Sequence, residues 1–295
     1  MSTSFADRLA GLVEERRSQV CLGLDPDPSA LSRDAGGDAG GEDAAERAAL
    51  AVAEGCAELI ERAGAACVAA KLQLACFERL GAPGWAALGR VAAAAREAGL
   101  VVIADGKRGD VPVTAAAYAQ ALVGETPTPW GPVAGLDADG FTANPLLGED
   151  ALEPLVAAAA EAGAGIFVLV RTSNPGAGDL LDLDAGGAPL HERIARLVAE
   201  RSERLRGERG LSGMGAVVGA TEPRYLERLR ELMPEAILLV PGVGAQGGRA
   251  SDLGPAFGDH PASVLVAASR SIASAEDPEA AAEALRAEAW SVGSG

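Results

Sequence analysis

Eight short apolar runs recur along this chain, and helix-like segments separate most of them. The runs are rich in Val, Ile, Leu and Ala, as is typical of strands covered on both faces of a parallel sheet. They lie at residues 19–24, 67–70, 101–104, 140–143, 165–170, 214–219, 236–240 and 263–267. Strands that alternate with helices in this way predict a parallel α/β fold.

The number of runs favours one architecture among the parallel folds. Eight strands with helical connections in 295 residues predict a (β/α)8 TIM barrel, as a single domain over residues 1–295. Loop insertions are expected near residues 35–43, 124–135 and 176–188, where turn-forming residues cluster. In the second insertion we expect the indole of Trp130 to anchor a structured loop. A doubly wound sheet is the alternative architecture.

Polar and charged residues come directly after the apolar runs. They are Asp25, Lys71, Asp105, Lys107, Asn144, Ser173, Gln246 and Arg270. In a barrel the carboxyl ends of all the strands meet on one face, and barrel enzymes place their active sites there. This placement favours the barrel over the doubly wound sheet and predicts a site assembled from several strand ends.

Lysine is rare in this chain, and its two positions are informative. Of 25 Lys and Arg residues only Lys71 and Lys107 are lysine. An ammonium group is compact and can give up a proton, whereas a guanidinium cannot. Because both lysines end neighbouring apolar runs, we expect them to serve chemistry that arginine could not supply.

The two lysines belong to a cluster of alternating charge at the first three strand ends. Its carboxylates are Asp25, Asp105 and Asp110, and with Lys71 and Lys107 they can hold one another ionised. A hard cation held by Asp25 and Asp105 is a rival interpretation, which the interleaved lysines make less attractive. A solvated loop with a salt bridge is the plain structural alternative.

Two further segments have the composition of ligand-binding loops. Glycines at residues 241–248 would let backbone N–H groups approach an anion, and barrels often hold phosphate after strands seven and eight. Arg270, with Ser269 beside it, would add a bidentate charge. Residues 172–176 form a polar turn around Ser173. Both segments could equally be ordinary turns.

Composition and charge exclude several classes of function. A net charge of −17 argues against a nucleic-acid or anionic membrane surface as a partner. Residues 1–19 lack the apolar segment of a secretory signal, and no stretch reaches the roughly 18 apolar residues of a membrane span. We therefore expect a cytoplasmic protein.

Cysteine and histidine show no catalytic or metal-binding pattern. Cys21, Cys56, Cys67 and Cys76 lie in apolar surroundings without ligand spacing, so buried reduced thiols are expected. The only histidines, His191 and His260, do not follow strands and are assigned to the surface or to local hydrogen bonds. No Ser-His-Asp arrangement and no dinucleotide fingerprint is visible.

Five segments in order give the chain a family resemblance. They are Ala-Ala-Lys71-Leu-Gln-Leu-Ala-Cys-Phe-Glu, Asp105-Gly-Lys107-Arg-Gly-Asp110, Thr-Ser173-Asn-Pro-Gly-Ala, Pro-Gly-Val-Gly-Ala-Gln246-Gly-Gly and Ser-Arg270-Ser-Ile. Together they resemble the orotidine 5'-phosphate decarboxylases, in particular their longer bacterial branch, over residues 21–272. The resemblance implies a homodimeric barrel that converts orotidine 5'-phosphate to UMP without metal or organic cofactor.

The resemblance also implies a role for each matched residue. Lys71, Asp105 and Lys107 match the family's charged network, in which Lys107 would protonate C6 of the pyrimidine, and Asp110 and Thr114 match residues that cross into the partner subunit's site. Asp25 matches the residue that contacts the ribose, and Ser173 matches the one that contacts the pyrimidine. Gln246 and Arg270 match the residues that contact the phosphate, and Asn144 matches a residue that lines the site. Val111 and Ser269 depart from the family pattern, which often has isoleucine and glycine there.

Two other functions remain open at this point. A sugar-phosphate decarboxylase or aldolase of related barrel type would use a similar Asp-x-Lys-x-x-Asp run but would require Mg²⁺. A non-catalytic phosphate-binding barrel would need the glycine loop and Arg270 but not Lys107.

Overall fold

The computed structural model describes residues 4–31 and 43–294 of the chain. Its centre is a closed barrel of eight parallel strands, which confirms the predicted (β/α)8 fold and shows that the doubly wound alternative is wrong. The strands are β1 (Val20–Leu24), β2 (Ala69–Gln73), β3 (Val101–Arg108), β4 (Gly140–Ala143), β5 (Gly165–Arg171), β6 (Ser212–Val218), β7 (Ala236–Pro241) and β8 (Val264–Ala268). Each pairs with its neighbours in chain order, and β8 pairs with β1 to close the ring.

Helices surround the barrel and form its outer layer. They are α1 (Phe5–Arg16), α2 (Ala44–Ala63), α3 (Leu74–Glu78), α4 (Gly81–Glu97), α5 (Pro112–Leu122), α6 (Glu149–Ala162), α7 (Gly178–Leu181), α8 (Leu190–Ala199), α9 (Arg224–Leu232), α10 (Arg270–Ala273) and α11 (Pro278–Gly293). Aspartates cap the N-termini of two of the long helices. Asp43 accepts the N–H of Ala45 in the first turn of α2, and Asp277 accepts the N–H of Glu279 in the first turn of α11. Such caps satisfy N–H groups that have no partner inside the helix.

Helix α1 closes the end of the barrel where the strands begin. Phe5 is buried and meets the ring of Phe167 edge to face, with centroids 5.8 Å apart. Burying a side chain of this size stabilises the fold by about 1.5–3 kcal/mol. Arg8 on the same helix donates to Asp139, just ahead of β4, at 2.7 Å. Because this end is packed, open space inside the barrel is left at the carboxyl ends of the strands.

The three predicted insertions differ in their secondary structure and in how much of each the structure describes. Residues 35–42 lie outside the described residues. The segment 124–135 contains a two-stranded antiparallel ladder, Glu125–Thr126 with Val133–Ala134, but the predicted anchoring by Trp130 is wrong because that residue is 93% exposed. Residues 176–188 contain the short helix α7.

The cysteines are free thiols, as predicted. Cys21, Cys56 and Cys67 are buried, and Cys76 is half-buried. Burial raises the pKa of the Cys21 thiol to about 12, so this side chain behaves as a small apolar group at neutral pH. Within the described residues no helix combines the length and apolar character needed to cross a bilayer.

A buried arginine forms hydrogen bonds to several segments around β7 and β8. Arg230 on α9 is 8% exposed, and burial lowers the pKa of its guanidinium to about 10. Among the described residues it donates to five backbone carbonyl groups at 2.8–3.3 Å, those of Met233, Pro234, Ala236, Ala256 and Ser263. These carbonyls lie on three separate segments, so one side chain satisfies acceptors that water cannot reach.

Replacing this side chain should destabilise the whole barrel. We expect Arg230→Met to lower the free energy of unfolding by about 3 kcal/mol, because methionine fills the space but leaves buried carbonyls unpaired. Arg228→Met on the same helix is the control, since Arg228 is half exposed and pairs with Glu192 and Glu231 at the surface. Urea unfolding followed by circular dichroism measures both variants, and equal losses would contradict the role given to Arg230.

Candidate active site

A cavity of about 400 Å³ lies where the barrel strands end. Of the residues selected from the sequence, eight line it: Asp25, Lys71, Asp105, Lys107, Ser173, Gln246, Ser269 and Arg270. They come from the ends of β1, β2, β3, β5, β7 and β8 or from the loops that follow. The barrel therefore brings to one place side chains that are up to 245 residues apart in the sequence (25 to 270).

Asp105 is the centre of the charged network in this cavity. Its Oδ2 accepts a hydrogen bond from Lys71 Nζ at 2.7 Å, and its Oδ1 accepts one from Lys107 Nζ at 2.7 Å. The carboxylate of Asp25 lies 3.7 Å from Lys71 Nζ on the other side. Acid and base thus alternate across the cavity in the order Asp25, Lys71, Asp105, Lys107.

The network holds its members ionised despite burial. Burial acts to raise the pKa of Asp105, but the ammonium groups of Lys71 and Lys107 outweigh it and lower that pKa to about 2. Burial likewise acts to lower the pKa of Lys71, and the charges of Asp105 and Asp25 raise it well above its usual value. At neutral pH the cavity therefore contains fixed charges of both signs.

Two strands run further than the sequence indicated, and this changes where the charges lie. The apolar runs predict strands that end at residues 70 and 104, before the charged residues, whereas β2 continues to Gln73 and β3 to Arg108. Lys71 and Asp105 are consequently barrel-interior residues, 6% and 4% exposed. Apolar character predicts a strand only up to the first charged residue, whereas here pairing between the charges compensates for their burial.

The structure adds two residues to the network that the sequence interpretation missed. Gln73 donates to Asp105 Oδ2 at 3.3 Å, and Thr142 on β4 donates to Asp105 Oδ1 at 2.8 Å. The signal for Gln73 was its spacing, since residues two apart on a strand face the same side and Lys71 was already selected. Thr142 is the one polar side chain in the strand Gly140–Ala143.

The glycine loop after β7 turns back on itself at the rim of the cavity. Gly242 and Gly244 have φ angles of 104° and 77°, which favour glycine. The N–H of Gly248 donates to the Gly242 carbonyl at 3.0 Å, which closes the turn and places Gln246 at the cavity. Arg270 and Ser269 line the cavity from the end of β8. A guanidinium and a glycine-rich turn on one rim suit an anionic group of a ligand.

A second ionic network holds the loop that carries Ser173. Arg171, the last residue of β5, donates to both carboxylate oxygens of Asp182, at 2.9 and 3.1 Å. Tyr225 donates to Asp182 at 3.0 Å, and His191 donates to the Leu181 carbonyl at 2.8 Å. His191 is 3% exposed, so its assignment to the surface is wrong, whereas its local hydrogen bonding is confirmed.

Three selected residues do not line the cavity in this chain. Asp110 is half-buried and accepts the N–H of Val111, and the side chain of Asn144 accepts the N–H of Leu146. Thr114 is half-buried on α5, one turn after Asp110. Apolar side chains around them are exposed, namely Val111, Val113, Leu146 and Leu147. This region lies outside the cavity, beside the end of β3.

His260 does not line the cavity. His260 accepts the N–H of Ala262 at 3.0 Å and lies 3.4 Å from Glu14 on α1, the helix that closes the opposite end of the barrel. Across residues 4–31 and 43–294 no group of three or more His, Cys, Asp or Glu side chains is arranged to hold a metal ion.

Known proteins resemble this chain over most of its length. The sequence model of the Orotidine 5'-phosphate decarboxylase / HUMPS family matches residues 18–285. Proteins named orotidine 5'-phosphate decarboxylase from Rhodopirellula baltica and Deinococcus radiodurans are 41% and 44% identical, over 94% and 92% of this chain and 90% of each relative. The structure of Leishmania donovani OMP decarboxylase superposes with a TM-score of 0.76 at 34% identity, covering 99% of this chain and all of the other.

Proposed function

The chain belongs to the orotidine 5'-phosphate decarboxylase / HUMPS family, and from this premise we propose that it decarboxylates orotidine 5'-phosphate to UMP in de novo pyrimidine biosynthesis. The observation that carries the proposal is the Lys71–Asp105–Lys107 network, which faces a cavity with a glycine-rich anion loop on its rim. The names of the relatives from R. baltica and D. radiodurans support the same reaction.

The chemistry requires a stabilised negative charge at C6 of the pyrimidine. The bond between C6 and the carboxylate carbon breaks, CO2 leaves, and the electron pair stays on C6 until a proton arrives. The ring offers no good electron sink, so the enzyme must supply fixed electrostatic stabilisation. The ammonium of Lys107 provides the charge beside C6 and then the proton, and it regains a proton from solvent. Asp105 faces the departing carboxylate and keeps Lys107 in place.

The phosphate and ribose supply binding energy away from the reacting carbon. In this proposal Gln246 and Arg270, with Ser269 and the glycine loop, bind the phosphate, while Asp25 contacts the ribose and Ser173 the pyrimidine. These five residues and the glycine loop all line the same cavity. Binding energy from a remote group can position the ring and close loops over it, so that it is used in the transition state.

A substrate panel separates this proposal from the Mg²⁺-dependent alternative. The purified chain is offered orotidine 5'-phosphate or a β-keto sugar-acid phosphate, each with added Mg²⁺ or with EDTA. We expect loss of orotidine 5'-phosphate absorbance at equal rates in both conditions and no turnover of the sugar phosphate. Turnover of the sugar phosphate in the presence of Mg²⁺ but not of EDTA would establish the Mg²⁺-dependent decarboxylase or aldolase. Binding of UMP without turnover of either substrate would indicate a non-catalytic barrel.

The proposal extends to a homodimer in which each subunit completes the other's site. Asp110 and Thr114 lie outside their own cavity, and the exposed apolar residues Val111 and Val113 stand between them. An exposed apolar cluster of this kind suits a protein interface. In the dimer Asp110 would add a carboxylate next to the partner's Lys107, with Thr114 and Asn144 close to the same interface.

Hybrid dimers test the shared site. Asp110→Ala and Lys107→Ala homodimers should each be nearly inactive, whereas random mixing should restore about one quarter of wild-type activity, since half of the dimers are hybrid and each hybrid has one intact site. Differently tagged subunits allow the hybrid to be isolated and its turnover measured. Purified hybrids without activity would contradict a shared site.

Free thiols at all four cysteines support a reducing compartment, and we propose that the protein is located in the cytoplasm.

A further inference from the structure

The ladder between β3 and β4 is irregular beside the charged network. Ala104 lies opposite Phe141, and the next paired residues are Arg108 and Ala143. Three residues of β3, Asp105 to Lys107, therefore face a single residue of β4. Bulges of this kind occur next to active sites, where they change the direction of a side chain.

Thr142 is the residue opposite this bulge, and its hydroxyl links both charged residues. The backbone N–H of Lys107 donates to Thr142 Oγ1 at 2.8 Å, and Oγ1 donates to Asp105 Oδ1 at 2.8 Å. Thr142 is 1% exposed, so solvent does not compete for these bonds. Lys107 has a φ of 48°, a left-handed conformation that a side chain with a Cβ adopts at a cost. The threonine bond compensates for the ladder bond that the bulge removes.

The same hydroxyl fixes the rotation of the Asp105 carboxylate. Oδ1 accepts from Lys107 Nζ and Thr142 Oγ1, while Oδ2 accepts from Lys71 Nζ and Gln73 Nε2. Each oxygen has two acceptor sites, so all four are occupied. Without the hydroxyl, one Oδ1 site would be empty and the Lys107 backbone would lose its partner, so both groups could shift.

We propose that Thr142 is a positioning residue for this reaction, which holds the Lys107 ammonium at the distance from C6 that proton transfer needs. The inference rests on the proposed function of Lys107 and goes beyond it, because Thr142 acts through Lys107 and Asp105. Catalytic geometry is sensitive to small displacements, and an error of about 1 Å can cost a factor of roughly 100 in rate. Loss of the hydroxyl should therefore affect turnover more than binding.

The test compares two substitutions of Thr142 with the same change at a matched threonine outside the cavity. Thr142→Val keeps the shape and removes the hydroxyl, and Thr142→Ser keeps the hydroxyl. Thr128→Val is the control, because Thr128 also donates one bond and accepts another, to Gly131 and from Trp130, away from the cavity. We expect Thr142→Val to lower kcat by about 100-fold with KM and UMP affinity within a few-fold of wild type. Thr142→Ser should recover most of the rate.

The outcomes separate this inference from the function on which it rests. A folded wild-type enzyme that does not turn over orotidine 5'-phosphate would refute the proposed function. An active wild type with Thr142→Val as fast as Thr128→Val would refute the inference alone, as would a loss confined to KM. Thr142→Ala replaces the valine variant if that one does not fold. If neither folds, the hydroxyl is needed for the barrel itself and the positioning role is contradicted.

Discussion

Lys107→Ala should lower kcat by about 10⁴-fold or more and leave the fold intact, because it removes both the charge beside C6 and the proton donor. The side chain of Lys107 is 41% exposed and reaches the cavity from the end of β3, so its loss opens no buried void. KM should change far less than kcat, since the phosphate contacts of Gln246 and Arg270 are untouched.

Lys107→Arg separates the two roles of this lysine. Arginine keeps a positive charge but does not release its proton, since the pKa of a guanidinium lies far above neutral pH. We expect this variant to remain strongly impaired, and Arg90→Ala, a change at an exposed cation on α4, to match wild type. Initial rates of absorbance loss, with melting temperatures as a check on folding, measure all three. An alanine variant that turns over orotidine 5'-phosphate within tenfold of the wild-type rate would contradict the catalytic role given to Lys107.

Asp105→Asn should destabilise the protein by an amount that depends on pH. The pKa of Asp105 is about 2 in the folded chain and about 3.9 when unfolded, so its charge stabilises the fold above about pH 4. That contribution, about 2–3 kcal/mol, is lost as the pH falls through the folded pKa. The substitution also leaves the buried Lys71 without its nearest carboxylate, a further cost at neutral pH.

Urea unfolding at several pH values tests this dependence. The difference in unfolding free energy between wild type and Asp105→Asn should be largest at pH 6–7 and should shrink between about pH 4 and 2, where wild-type Asp105 takes up a proton. Asp259→Asn, at an exposed carboxylate, should stay close to wild type throughout. A difference that stays constant from neutral to acid pH would mean that the Asp105 charge does not contribute as described.

The sequence was sufficient to predict the barrel and most of its cavity. Periodic apolar runs identify strands, and the rule that strand ends meet on one face then places Asp25, Lys71, Asp105 and Arg270 together. The alternating charges also predicted that Lys71, Asp105 and Lys107 pair with one another. Apolar runs alone did not show that Lys71 and Asp105 are buried inside the barrel, because their burial depends on that pairing.

Features that depend on a neighbouring segment were also missed. The bulge in β3 and the hydroxyl of Thr142 are defined only when β3 and β4 lie side by side. His191 is buried because Asp182 and Tyr225 come from other segments to meet it. Trp130 is a large aromatic residue of the kind that anchors loops, but among the described residues no cleft buries its side chain. Local propensity contains none of this information.

The most direct test of the whole account is release of CO2 from carboxyl-radiolabelled orotidine 5'-phosphate by the wild-type chain after treatment with chelator. We expect radioactive CO2 and UMP to form in equal amounts, at a rate that added Mg²⁺ does not change. A folded, UMP-binding enzyme that releases no CO2, or that does so only when Mg²⁺ is restored, would contradict the central claim that fixed charges at Lys71, Asp105 and Lys107 carry out the reaction.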